Sequence, residues 1–192
     1  MKKSFLLFCM GVLVSGCAGI NYSHVCPEAH DFHPQTIAVL PVMVGNYQSA
    51  EGVADNAVSQ ALVDTGLFTS VIDASSLREQ LSASRDLSAD VSEYIQKLNT
   101  LGVSDKELAQ KIADTLNVDA LFLTYVTSWG YGRLDGNKVG RSGLGIKLIC
   151  GKTGLIMWKA NHEEVESYWF IKPDLAELSE EVLEPLLAEM PH

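Results

Sequence analysis

"VDALFLTYVTSW", Val118 to Trp129, is apolar at both odd and even positions. A strand of this kind must be covered on both faces, as in the centre of a layered α/β sheet rather than a sheet with one wet side. Upstream, Ser104-Asp105-Lys106-Glu107 has the form of a capping box, with Ser104 and Glu107 each satisfying an orphan backbone donor. Leu108, Ile112 and Leu116 follow at four-residue spacing, beside Ala109 and Ala113. Residues 86–100 carry Val91, Tyr94, Ile95 and Leu98 near one helical face, and a further helix runs from Ser75 towards Ser84. Phe68 to Ile72 reads as a short strand. Glu51 to Thr65 places Val53, Ala54, Ala57, Val58, Ala61 and Leu62 on one helical stripe, stopped by Gly66. Thr36 to Val44 (TIAVLPVMV) is a second buried strand in which Pro41, lacking an N–H, interrupts pairing on one side.

Downstream, Gly130 to Gly143 reads as a polar, glycine-rich connection leading to a strand at Leu144 to Cys150. The tight turn Gly151-Lys152-Thr153-Gly154 joins that strand to one in which Ile156, Trp158 and Ala160 alternate with Met157, Lys159 and Asn161. Residues 174–190 form an acidic amphipathic helix with Leu175, Leu178, Val182 and Leu186 inward, and Pro185 should kink or break it. Strands alternating with helices imply parallel pairing with right-handed crossovers, and the closing strands add an antiparallel hairpin. The expected fold is therefore a single α/β domain over 36–192, with one mixed sheet and helices packed on it.

The amino terminus gives the address. Met1-Lys2-Lys3 precedes a ten-residue apolar run from Phe5 to Val14 and the small residues Ser15 and Gly16, the order of a secretory signal peptide over 1–16. A membrane span needs about 20 apolar residues. Val14-Ser15-Gly16-Cys17 resembles the lipobox of bacterial lipoproteins, with valine where leucine is commoner. The resemblance implies cleavage before Cys17, which then carries thioether-linked diacylglycerol and an amine-linked chain (palmitate-type acylation). Two or more chains anchor stably where one does not. Ala18 in place of aspartate implies the outer membrane, inner leaflet, facing the periplasm; the inner membrane is the alternative. Residues 17–35 read as lipid anchor plus flexible tether. Loss of Lys2 and Lys3 takes the formal charge from −10 to −12. Nucleic-acid binders need clustered positive charge, so nucleic acid is excluded as a partner.

"TIAVLPVMVGN", "LFTSVIDASSLREQL", "NVDALFLTYVTSWG" and "GLGIKLICGKTGLIMWKA" together resemble a family of bacterial lipoproteins. The fold of that family is akin to the amino-terminal domain of TolB, to PelC and to the periplasmic part of CsgG. The match runs from about Thr36 to His162. Relatives often place an aspartate ahead of the hairpin turn, where this chain has Cys150-Gly151. The resemblance implies a non-enzymatic accessory or assembly subunit of an envelope secretion or export system, with envelope protein partners or a homo-oligomer. A small-ligand or polysaccharide-binding lipoprotein is the alternative.

No stretch supplies a catalytic or cofactor motif. Gly140-Arg-Ser-Gly-Leu-Gly145 precedes a strand, whereas a phosphate loop precedes a helix, and its serine lacks the Gly-x-Ser-x-Gly spacing. His24, Cys26, His30 and His33 match no standard zinc spacing, so no metal is expected. Residues 131–142 are too polar and glycine-rich for a transmembrane hairpin. Cys26 and Cys150 remain after processing as a candidate disulfide pair; spacing alone leaves the pairing open. Two candidate interaction surfaces stand out. Arg133, Lys138 and Arg141 make one segment basic within an acidic chain, and Tyr168-Trp169-Phe170 cannot all enter one core, because successive strand residues face opposite sides.

Overall fold

The structure is a computed structural model and describes residues 20–191. The signal segment, the lipobox residues Val14, Ser15 and Gly16, and Cys17 lie outside the described residues. Six strands form one sheet. They are β1 (Tyr22–Val25), β2 (Thr36–Val39), β3 (Ser70–Ile72), β4 (Ala120–Leu134), β5 (Asn137–Cys150) and β6 (Ile156–Tyr168), in the order β1-β6-β5-β4-β2-β3. β2 pairs in parallel with β3 and β4, and the remaining neighbours are antiparallel. The expected mixed sheet is present.

Each face has its own core. Helices α1 (Val53–Asp64) and α5 (Leu175–Ala188) cover one face. There Ala54, Val58, Leu62, Val182, Leu183 and Leu186 meet Ile37, Phe122, Ile146, Leu148 and Trp158. Helices α2 (Ala74–Ala83), α3 (Arg85–Leu101) and α4 (Lys106–Leu116) cover the other. There Leu77, Val91, Tyr94, Leu98 and Ile112 meet Ala38, Leu40, Leu121, Leu123 and Ile149. Val118–Trp129 is thus the centre from which both cores are filled, Phe122 to one side and Leu121 and Leu123 to the other.

Several expectations need correction. Residues 17–35 are not a free tether throughout. Tyr22–Val25 pairs with β6 as an edge strand, a single 3-10 turn follows at Pro27–Asp31, and Ala29 is buried. The segment Gly130–Gly143 is not a loop. β4 and β5 continue as one long ladder, closed by the two-residue turn Asp135-Gly136, with φ of 50° and 85°. Positive φ at both central residues is the type I′ hairpin geometry that Asp-Gly favours. The cap of α4 is Asp105, whose carboxylate accepts the Leu108 N–H at 3.1 Å. Ser104 instead hydrogen-bonds the Tyr94 hydroxyl at 2.8 Å. Helix α1 starts at Val53, which is exposed, whereas the charged Asp55 is buried. Asp55 accepts the Val42 N–H at 3.0 Å and the Gly52 N–H at 3.2 Å, and pairs with Arg78 at 3.6 Å. This explains the passage through Pro41. Leu40 and Met43 still donate to β4, while the intervening Val42 N–H goes to Asp55. Pro185 lies inside a continuous α5.

Candidate functional site

One end of the sheet carries an apolar projection. Trp169, Phe170 and Ile171 follow β6 directly and are 83%, 94% and 86% exposed. Three consecutive large apolar side chains in water are costly unless something covers them. Their base is fixed. The Tyr131 hydroxyl donates to the Pro173 carbonyl at 2.8 Å, Lys172 Nζ sits 4.5 Å from the Tyr131 ring centre, and the Tyr131 and Tyr168 rings meet edge to face at 6.0 Å. A Cβ at Gly140 would collide with the Pro173 ring, so the bare backbone there seats the returning chain. Tyr168 thus belongs to the base and is half-buried, while Trp169 and Phe170 form the tip, extended by Ile171.

The hairpin joins this tip. Lys138 lies opposite both Arg133 and Tyr168 in the ladder, so those three side chains share one face. Arg133 also donates to the Gly136 carbonyl at 3.2 Å, across the turn. Arg141 does not join them. It lies opposite Gly130 and Val165 on the other face and pairs with Glu163 at 3.9 Å. The basic group at the tip is therefore Arg133, Lys138 and Lys172.

A second surface was not expected. Among the described residues, Ile156 is the one position of β6 that packs against the core under α2, α3 and α4, and β1 contributes none, which leaves the rest of that side open. Two rows of directly opposed residues cross this open face. One runs Leu123, Lys147, Lys159, His24, and the next runs Tyr125, Gly145, Asn161, Tyr22. Tyr125 lies flat over Gly145, where a Cβ would occupy the ring's space. Lys147 Nζ is 5.6 Å from the Tyr125 ring centre and Lys159 Nζ 5.7 Å from that of Tyr22. Burial and the neighbouring Lys159 hold the Lys147 ammonium below the usual lysine range. Burial pushes the Tyr125 hydroxyl up, opposed by its bond with Asn161 and the charge of Lys159. Sequence alternation placed Lys159 opposite in parity to Trp158, but only the register shows that Lys147 stands beside it.

The remaining candidates do not assemble into a reactive centre. A depression of about 650 Å³ is lined by Phe32, His33, Gln35, Asp114, Asp119 and Lys152 among others. One Asp119 oxygen is fully engaged, accepting the Gln35 N–H, the Thr36 N–H and the Thr36 hydroxyl, each at 2.9 Å. Burial raises that carboxyl, but these three donors outweigh it and hold it below the usual carboxylate range. Among the described residues, no three of His, Cys, Asp and Glu gather at a metal-binding distance. His24 faces Lys159, Cys26 Sγ donates to Glu28 at 2.7 Å, and His30 pairs with Asp31 at 3.0 Å. The candidate disulfide is not formed. Cys150 is a buried free thiol, and Cys26 is a free thiol turned to Glu28, although both pack with Ala29 and Met157. Its hydrogen bond to Glu28 holds the Cys26 thiol above its ordinary value.

No protein-family profile and no curated protein matches this chain. Solved structures do. PelC from Paraburkholderia phytofirmans, a dodecamer, is 14% identical, with 89% of this chain and 98% of PelC covered and a TM-score of 0.52. Lipoprotein GNA1162 from Neisseria meningitidis is also 14% identical, with 82% and 100% covered and a TM-score of 0.51. At this identity the likeness is one of fold, and the chain shares the mixed α/β fold of these two proteins.

Proposed function

We propose that the chain is a lipid-anchored accessory subunit of an envelope export or assembly system, held to the periplasmic side of the membrane through Cys17 and standing on its aromatic tip. One observation carries this reading: the amino-terminal end of β1 and the apolar tip point towards the same end of the sheet. β1 is antiparallel to β6, with Tyr22 opposite Asn161, and Asn21 reaches His162 at 3.3 Å. Asn21, just before β1, therefore lies on the side of Tyr22 nearer Tyr168 and Trp169. Tryptophan and phenylalanine at a bilayer interface, flanked by Arg133, Lys138 and Lys172 at headgroup level, form a familiar interfacial arrangement. Among the described residues no helix is long and apolar enough to cross a membrane. The likeness in fold to GNA1162, a lipoprotein, and to PelC, a dodecamer, supports a lipoprotein that works within an assembly.

The test uses the full chain in a bacterial host. Metabolic acyl labelling should mark the wild type and be absent from Cys17→Ser, which should persist as the unprocessed precursor. Labelling that survives this substitution sinks the anchor.

A further inference from the structure

Lys147 and Lys159 stand directly opposed on neighbouring strands, where paired side chains are about 5 Å apart and like charges repel. His24 continues the row on β1. Among the described residues neither lysine has a carboxylate within salt-bridge distance, although the chain carries 24 acidic and 14 basic residues. Lys97, Lys111, Arg78 and Arg141 all have such partners. The two lysines are half-buried beside tyrosine rings, so their charge is partly desolvated without being neutralised.

The opposite side of the same strands has the complementary character. Ile146 and Leu148, the neighbours of Lys147, point into the core under α5. The outer surface of α5 presents Glu177, Glu180, Glu181, Glu184 and, just beyond its end, Glu189, all exposed, and residues 173–191 contain no lysine or arginine. Between α1 and α5 runs a groove of about 400 Å³, mainly apolar, floored by Ala61, Leu67, Leu187 and Ala188 and rimmed by Glu180 and Glu184. A groove with a carboxylate rim matches an aromatic ring that carries an ammonium, which is how Tyr22 and Lys159 are arranged.

We infer that this chain assembles head to tail with copies of itself, the open face of Tyr22, Lys147 and Lys159 docking on the Glu180–Glu184 groove of the next copy. The two surfaces lie on opposite sides of one sheet, so each copy offers one of each. Such a heterologous contact repeats until it closes into a ring or continues as a filament. The inference specifies the contact for the oligomer included in the functional reading above, and it does not need the lipid anchor.

Charge reversal tests it on the full-length chain extracted in mild detergent, with mass read by light scattering at low salt. The wild type should be larger than a monomer. Lys147→Glu with Lys159→Glu should be monomeric, as should Glu180→Lys with Glu184→Lys. Mixing these two variants should restore assembly, since each reversed face then meets its complement. All four changes in one chain should restore it too. A loss of assembly caused by misfolding would not be rescued by the mixture. A monomeric wild type, a reversal that leaves the mass unchanged, or a mixture that stays monomeric overturns the inference. So does a reversal whose only effect is lost binding to anionic vesicles or to an acidic partner. Acyl labelling of the same samples reports on the anchor separately, so either idea can fail alone.

Discussion

Changing Trp169, Phe170 and Ile171 together to serine separates an interaction surface from a structural one. These side chains are 83%, 94% and 86% exposed, so they contribute almost nothing to the folded core. Stability to urea should stay within about 0.5 kcal/mol of wild type, as for surface sites generally. Membrane binding should change far more. Full burial of one such side chain stabilises by about 1.5–3 kcal/mol, so insertion of roughly half of each gives about 3 kcal/mol in total. At 1.4 kcal/mol per factor of ten, the variant should partition onto vesicles roughly 100-fold more weakly. The assay is co-sedimentation with vesicles containing anionic lipid, using Cys17→Ser protein cleared of its precursor segment so that acyl chains do not mask the effect. Equal sedimentation of parent and triple variant would refute the membrane-facing tip. A large drop in stability would instead show that the segment is packed in a way its exposure denies.

Asp119→Ala removes the acceptor for three donors that tie the start of β2 to the start of β4. Because the site is exposed, the expected loss is about 1–2 kcal/mol, read as a lower urea midpoint. The folded-state carboxyl is held below its ordinary value. Its contribution is therefore complete above about pH 4 and lost as the pH falls through the folded value, so the gap between wild type and Asp119→Asn should close in acid. Thr124→Val should raise stability by about 1 kcal/mol, because the buried Thr124 hydroxyl has no hydrogen-bond partner among the described residues. Gly151→Ala should cost about 1–3 kcal/mol in the same denaturation assay, since its Cβ would lie 2.5 Å from that of Ala113 and 3.0 Å from the Asp119 carbonyl oxygen.

Much of the architecture was legible because burial writes itself into the chain. Val118–Trp129 could only be a strand covered on both sides, and Leu108, Ile112 and Leu116 could only face a core. The long hairpin was misread because its outer half is wet. Tyr131 to Ser142 has no apolar alternation to mark a strand, although the Asp135-Gly136 pair held the turn signal. β1 escaped for a related reason. Four exposed residues, Tyr22–Val25, are held by backbone pairing to β6, and that leaves no hydrophobic trace. The capping box failed by one position because Asp105 is itself a good cap and Ser104 had a better partner in Tyr94. At the candidate site, the oddity of three successive aromatics was visible, but not which of them would be exposed. The open face needed register, which no single segment contains.

The pairing of β1 also sets the length of the leash. Were residues 18–35 free, a chain held at Cys17 could carry Thr36 up to about 65 Å from the lipid. Ile20, three residues on from Cys17, packs against the first core cluster and Tyr22 is locked to Asn161, so the anchor proposed above would allow a reach of about 10 Å. Under the proposed acylation of Cys17, a domain held so short would sample a thin layer above the bilayer rather than the full depth of the periplasm. Its local concentration towards anything on that same surface would then rise steeply. Neighbouring copies would then meet largely in two dimensions, so that even a weak contact between them would suffice.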